Sequence, residues 1–517
     1  MSTEYVDDVP YVRHFLGDLS PARLRLVAAL EGVAPPPIGE LDYCELGCAH
    51  GDTLAALAAA HPEGRFLGID INAAHIASAK RLARDGALEN IGFLERDFES
   101  LLSEDVGEFD YVVAHGVISW VSPAKRAALM AFASAKLKPG GLLYVSYNAM
   151  PGWASVEPLR QLLLFPSARA GETTEDRARR GVELAQALER AGAEYFTANP
   201  SASEMLRTMA KAGLPYVVHE YMHEHWAPMY FARVAWELAE QGLHFVGSLP
   251  LREGFRDLAL PAAVEPLLSS IDDRVTFESL KAFATNEFFR RDVYVKGRVA
   301  RSADVTAAYL DETPFGTITN TALEERVVRL PHRTVSLEGP VFDAIFAALA
   351  EGSVSVRELV DRAELGGVSE EELRRCLVRL LVTERVAPRC APSRAHRARA
   401  DEAFDIPSVY NQMMLRRLSS EVPVVMTSTV AGTAYPISAL DGLALRVFTE
   451  VPAGRREAWS RDFVRKNVLR IRVDDRIVTD EDEQQRAILE GIAALAGERL
   501  AKLVELGILA PRSASVG

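Results

Sequence analysis

An α/β fold built on a doubly wound parallel sheet is predicted for this 517-residue chain by three observations. Short apolar runs alternate with helical patterns from Leu41 to Asn148. A small-residue turn, Glu45-Leu-Gly-Cys-Ala-His-Gly51, joins the first apolar run to a helix. The next two runs each end in an acid, Asp70 and Asp97. Alternation of this kind implies parallel strands with helices on both faces, because a parallel pair needs a crossover connection.

Taken in order, Leu41–Leu46, Arg65–Ile71, Ile91–Arg96, Tyr111–Ala114 and Leu142–Ser146 read as strands. Asp52–Ala60, Ala73–Arg84 and Pro123–Leu137 read as the helices between them. The third helix has Ser122 as its N-cap, Pro123 at the first helical position, where a missing N–H costs nothing, and Lys138-Pro-Gly-Gly141 as its stop. From Trp153 to Leu214, Ala, Leu, Arg and Glu dominate, which predicts a helical insertion over about 153–214, serving as a lid, an oligomer contact or a surface elaboration. Pro215–Val218 then reads like a strand, Met229–Gln241 as a helix and Leu243–Val246 as a strand, all within a first domain of residues 1–300.

The β/α rhythm stops after Gly297. In a second module, 301–395, Val341–Leu349, Val356–Ala363 and Ser369–Thr383 read as three short helices before Glu384–Pro388, an order that resembles a winged helix. Nine acids against seven arginines over Val341–Arg389 argue against DNA reading, which needs a basic patch. Arg389–Ala400 reads as a linker to a small α/β module, 396–517, with strand-like Val422–Met426 and Leu469–Val473 and a helix over Glu483–Glu505.

Composition narrows the class. With 48% hydrophobic and 25% charged residues the chain is of ordinary globular make-up, and its formal net charge of −14 gives no overall attraction to nucleic acid or anionic lipid. Four cysteines without C-x-x-C spacing suggest neither a disulfide framework nor a zinc site. The N-terminal stretch carries acids where a signal peptide needs basic residues, and no run is long and apolar enough for a membrane span. The expectation is a cytoplasmic protein with no nucleic-acid partner and no stable membrane insertion.

A strand running into a tight turn and a helix N-terminus offers backbone N–H groups to a ligand at close range. A dinucleotide fingerprint would need Gly at positions 49 and 52, where this chain has Ala49 and Asp52. Asp52 in the first turn would repel a pyrophosphate, whereas a phosphate-free adenosyl ligand with a cationic sulfonium tolerates a carboxylate nearby. Asp70 lies nineteen residues beyond Gly51, the spacing expected of a ribose-binding acid. Asp97 ends the following strand, where a carboxylate can accept the adenine amine.

These residues make the sequence resemble the class I S-adenosylmethionine-dependent methyltransferases. Glu45-Leu-Gly47-Cys-Ala-His-Gly51 is similar to their E-x-G-x-G-x-G motif, with Ala49 in place of the middle Gly. Three further strings, Phe109 to Val121, Val145 to Trp153 and Val218 to Tyr221, resemble bacterial methyltransferases that carry a methyltransferase regulatory domain. Some members of that group are protein-lysine methyltransferases acting on outer-membrane proteins.

The resemblance implies a Rossmann-like catalytic domain with S-adenosyl-L-methionine as cofactor. Cofactor binding is assigned to Glu45, Gly47, Cys48, Ala49, Gly51, Asp70, Ile71, Asp97, Phe98 and His115, and substrate-side work to Tyr147, Asn148 and Trp153. Methyl transfer needs a positioned neutral nucleophile rather than a nucleophilic side chain, and hydroxyl, amide and aromatic groups suit an amine acceptor. The expected acceptor is a lysine on a protein or peptide, with a homodimer left open. A methyltransferase for a small molecule or peptide natural product competes, as does a scaffold that binds the cofactor without catalysis. His219-Glu-Tyr-Met-His223 matches H-E-x-x-H, but that motif needs both histidines on one helix face, and a strand-like lead-in with Trp226-Ala-Pro228 soon after leaves no metal assigned.

Overall fold

The computed structural model describes residues 13–167, 169, 171–319, 323–396, 402–417, 424–466, 471–473, 476–495 and 498–512. Its centre is a seven-stranded sheet of β1 (Asp42–Leu46), β2 (Arg65–Asp70), β3 (Ile91–Glu95), β4 (Phe109–Ala114), β5 (Leu137–Asn148), β6 (Leu243–Ser248) and β7 (Phe289–Lys296), in the order β3-β2-β1-β4-β5-β7-β6. The first five strands are parallel, and β7 runs antiparallel between β5 and β6. Helices α1 (Pro21–Leu30), α2 (Asp52–Ala60), α3 (Ala73–Asp85) and α4 (Pro123–Lys136) cover the two faces. Ser122 caps α4 by accepting from Lys125 N–H, as its sequence predicts. The predicted stop after α4 is instead the start of β5, which begins at Leu137 and takes up Lys138–Gly141 through a register shift against β4.

The insertion folds as α5 (Glu157–Leu164), α6 (Thr174–Arg190), α7 (Glu194–Ala198), α8 (Pro200–Ala212) and α9 (Leu214–Tyr221) around its own core of Trp153, Leu159, Leu206, Val218 and Tyr221. Pro215–Val218, expected to be strand-like, lies in α9. Pro215 occupies the first turn, where a helix tolerates proline because that N–H has no intrahelical partner. Helix α10 (Phe231–Glu240) then returns the chain to β6.

Beyond residue 300 the chain packs directly on this domain, with Ser302 N–H donating to Gly32 O (2.9 Å) and Thr306 Oγ1 to Ala29 O (2.7 Å). Helices Pro340–Ala350, Val356–Val360 and Glu370–Val382 precede the strand Val386–Pro388, which pairs antiparallel with Phe315–Thr317. Arg389–Ala400, read as a linker, is docked over its described part. Arg389 is buried and donates to Thr317 O, while Cys390 N–H donates to Val430 O; residues 397–400 lie outside the described ones. The C-terminal hairpin Val424–Ser428/Thr433–Ile437 rests on α2, and Tyr410, Met413 and Met426 share a core with Ala55, Ala56 and Leu82. The helix expected over Glu483–Glu505 is two, Glu481–Leu495 and Glu498–Glu505. Val422 and Leu469, at the starts of the two expected strands, lie outside the described residues.

β7 is absent from the sequence reading because Phe-Arg-Arg-Asp-Val-Tyr-Val-Lys places charges at buried positions. Arg290 is fully buried, yet each of its three side-chain nitrogens donates. Nε donates to both Asp292 oxygens (3.1 and 2.9 Å), Nη1 to Glu287 (2.6 Å), and Nη2 to Ser248 (3.1 Å) and Glu278 (3.0 Å). Lys281 closes the network at 2.8 Å from Glu278. Removing one member of such a network strands the opposite charges in the core. Arg290→Met is therefore expected to destabilise the protein by about 3–5 kcal/mol, read as a lowered urea midpoint; an unchanged midpoint would show that the network adds nothing.

Candidate functional site

A cavity of about 940 Å³ opens where the carboxyl ends of the central strands meet the helical insertion. Its inner end is the turn after β1. Gly47 (φ 76°), Ala49 (φ 45°) and Gly51 (φ 71°) are all left-handed, so the turn bends sharply toward the start of α2. A Cβ on Gly47 would meet Val117 Cγ2 at 2.6 Å, which fixes that position as glycine. Ala49 holds the same kind of conformation with a side chain, and its N–H donates to Asp70 Oδ2 at 2.9 Å. Asp70 Oδ1 accepts from Asn72 N–H at 2.8 Å, and Asn72 in turn caps α3.

The charge of the wall is one-sided. Glu45, Asp52, Asp70, Glu204 and Glu220 line it, and among the described residues no lysine or arginine does. Such a cavity repels phosphates and suits a cation. Glu45 is buried and its Oε2 finds no hydrogen-bond partner among the described residues. Burial first, with Asp52 and Asp70 beside it, raises its carboxyl to about 8. Asp52 is held by Arg13 through two hydrogen bonds of 2.9 and 2.6 Å. His115 Nδ1 lies 3.0 Å from Tyr144 OH and 3.1 Å from Ser146 Oγ. Burial, with His14 and Arg291 nearby, lowers its pKa to about 4, so the ring is neutral at physiological pH.

Of the residues predicted for the site, Glu45, Gly47, Cys48, Ala49, Asp70, Ile71, Phe98, His115, Asn148 and Trp153 line the cavity, whereas Gly51, Asp97 and Tyr147 do not. Gly51 packs against Ala79 and Phe93. Asp97 accepts from Glu99 N–H and pairs with Lys125 at 3.0 Å, leaving Phe98 as the wall. Tyr147 is the clear correction. Neighbouring residues of a strand face opposite ways, so Asn148 looks into the cavity while the Tyr147 hydroxyl donates to buried Asp292 at 2.7 Å. Asn148 is 4% exposed, and its Nδ2 has no hydrogen-bond partner among the described residues.

The outer wall escaped the sequence reading. Ser201, Glu204, Met205 and Thr208 of α8 line it, at the i, i+3, i+4, i+7 spacing of one helix face. Tyr216, His219, Glu220, His223, Phe288 and Phe289 complete it. Trp153 Nε1 donates to Phe288 O at 2.9 Å, and its ring meets Trp226 and Phe288 with centroids 5.1 and 5.8 Å apart. In the H-E-x-x-H string, α9 ends at Tyr221, so His219 lies on the helix and His223 beyond it. Among the described residues no group of three or more His, Cys, Asp or Glu is placed to hold a metal ion.

Residues 44–143 match the sequence model of a methyltransferase domain, and residues 214–296 that of the family described as a predicted methyltransferase regulatory domain. The protein is an S-adenosylmethionine-dependent methyltransferase with a region similar to that regulatory domain. Over nearly its whole length it is similar to the uncharacterized protein sll1526 of Synechocystis sp., 28% identical across 98% of this chain and 99% of the relative. A second relative, RP789 of Rickettsia prowazekii, is 29% identical across 55% of this chain and 51% of its own. The solved structure of PKMT2 from Rickettsia typhi in complex with AdoHcy shares the fold, with a TM-score of 0.70 at 18% identity over 97% of this chain and 100% of that one. S-adenosyl-L-methionine is the cofactor, and a cavity with five acids and no lysine or arginine among its described lining residues fits its cationic sulfonium and amine.

The state of Glu45 gives the site a pH signature. In the unfolded chain this carboxyl ionises near 4.5, so between 4.5 and about 8 the fold binds one more proton. Its stabilising contribution is complete below the lower value and is lost as pH rises through the upper one. Glu45→Gln, which cannot ionise, is expected to raise the melting temperature of the ligand-free protein at pH 8 and leave it nearly unchanged at pH 5. A gain of equal size at both pH values would contradict this assignment.

Proposed function

We propose that this methyltransferase N-methylates lysine side chains of a protein or peptide, with the cofactor at the turn after β1 and the acceptor amine entering between α8, α9 and β7. The observation that carries this reading is the outer wall, where aromatic rings and carboxylates line the cavity without a lysine or arginine among the described lining residues. Aromatic faces and acids together select a cation on a slender apolar stem, which describes lysine. The Val145–Trp153 and Val218–Tyr221 strings resemble methyltransferases that carry a regulatory domain, a group with protein-lysine methyltransferases among its members, which supports the same acceptor.

When bound, the cofactor supplies an electrophilic methyl group on a sulfonium. The residues assigned to its adenosyl part are Asp70 for the ribose hydroxyls and Ile71 with Phe98 for the base. Glu45 and the Gly47–Ala49 turn take the amino-acid end. Asn148, whose buried side chain lines the cavity, orients the incoming amine through its amide oxygen, the acceptor that an ammonium needs, and Trp153 with Phe288 excludes water beside it.

Asp70→Ala removes an acceptor for the ribose and for the Ala49 and Asn72 N–H groups together, so cofactor affinity is expected to fall about ten- to hundredfold by calorimetry. Unchanged affinity would remove Asp70 from the site. The acceptor is tested by incubating the protein with methyl-labelled cofactor and a lysate. Label is expected in protein bands and, after hydrolysis, in methyl-lysine, whereas label confined to small molecules would overturn the lysine assignment.

A further inference from the structure

One carboxylate at the outer end of the cavity is left uncompensated by the fold. Asp52 is held by Arg13, Asp70 by two N–H groups, and Glu204 by Arg207 at 2.7 Å on an exposed surface. Glu220 also lines the cavity, yet among the described residues no cationic side chain lies within ion-pair distance of it. The hydrogen bond recorded for this residue is at its backbone, where Trp120 Nε1 reaches Glu220 O at 3.5 Å. Glu220 stands in the last turn of α9, where outward carbonyls add negative potential and favour a cation. Burial raises its carboxyl to about 7.

The groups around Glu220 agree with a cationic guest. Its own helix brings Tyr216, His219 and Tyr221. His223 follows the helix and is held near 4, chiefly by burial, so it is neutral at physiological pH. From α8 come Glu204 and its partner Arg207. From α5, buried Arg160 turns to His223 O and to the Trp226 ring, 5.1 Å away, and is not part of the wall. Trp153, Tyr216 and Phe288 supply aromatic faces in the same wall.

We propose that Glu220 receives the cationic amine of the acceptor, binding the ammonium among Trp153, Tyr216 and Phe288 and taking one of its protons. One N–H bond of the ammonium breaks, the proton adds to the Glu220 carboxylate, and the electron pair stays on nitrogen as the nucleophile. Glu220 afterwards returns the proton to solvent. The inference rests on an amine acceptor, but not on that amine being part of a protein.

The test uses the full-length protein with excess S-adenosylhomocysteine filling the cofactor end, and n-butylammonium and n-butanol as charged and neutral probes in saturation-transfer NMR. At pH 8 the parent protein is expected to prefer n-butylammonium at least tenfold and to lose that preference at pH 5.5, where Glu220 is protonated. Glu220→Gln is expected to lose it at both pH values while binding n-butanol and S-adenosylhomocysteine as before, and Glu220→Asp to keep part of it. Turnover of a lysine peptide should fall at least a hundredfold in Glu220→Gln. A Gln variant that keeps the preference or the turnover overturns the assignment. Should that variant not fold, a parent protein with no preference at pH 8, or with the same one at pH 5.5, overturns it equally. If the preference follows Glu220 but no lysine is labelled by the parent protein, the acceptor assignment fails and the amine site stands.

Discussion

The Asp70 carboxylate is the constraint on which the site depends. One oxygen holds the N–H of Ala49 in a left-handed turn and the other holds the N–H of Asn72 at the entry to α3. A single side chain at the end of β2 thus sets the turn after β1 and the start of the next helix, joining two βα units at the mouth of the cavity. Both bonds are charge-assisted and largely shielded from water, where such bonds are strongest. The conformation at Ala49, which costs an L-residue energy, is held by that acceptor. Around this fixed point the remaining acids gather without a lysine or arginine among the described lining residues, and that imbalance gives the cavity its preference for positive charge.

What the sequence shows and what it hides follows from how each strand is buried. The first five strands read as apolar runs because both their faces are covered, and the turn at Glu45–Gly51 stands out by its small residues. The same double burial hides which side chains of β5 reach the cavity. With no polar face to mark a phase, Tyr147 and Asn148 look alike in sequence, although the structure sends them to opposite sides of the sheet. β7 is hidden for the opposite reason, since Arg290 and Asp292 make a core strand look like a surface segment. The helix at Pro215 is misread because its β-branched residues follow a proline that happens to sit in a first turn. Glu220 is visible in the sequence only within strings that suggest a metal site or the family resemblance, and its setting emerges from the packing of α9 beside α8 at the outer wall of the cavity.

The C-terminal part is bound to the catalytic part through its cores. The hairpin at 424–437 rests on α2, the helix that leaves the cofactor turn, and His61 at the end of α2 lies 2.9 Å from Gly432 O. Tyr410 fills the space beside Gly86, where a Cβ would come within 2.8 Å of its ring. A change in the packing of the last hundred residues therefore bears on the helix whose first turn shapes the cavity. Such contact through packed elements is the means by which separate surfaces of one protein influence each other.

The sheet order carries a consequence for how the molecule comes into being. Among the described residues β6 pairs only with β7, and β7 is made some forty residues later in the chain. During synthesis β6 has no place in the sheet until β7 has entered between it and β5, so the edge of the sheet cannot grow in the order in which it is translated. The same late strand follows directly on Phe288, which closes the cavity, and supplies Arg290, which neutralises the acids beneath it. A nascent chain shorter than about 300 residues thus has the turn and Asp70 but neither a closed cavity nor a satisfied core, and such long-range closure is slow by its topology. Closure of the outer wall and completion of the sheet thus wait on the same late strand, so the half-made protein has the cofactor turn without the wall that faces it.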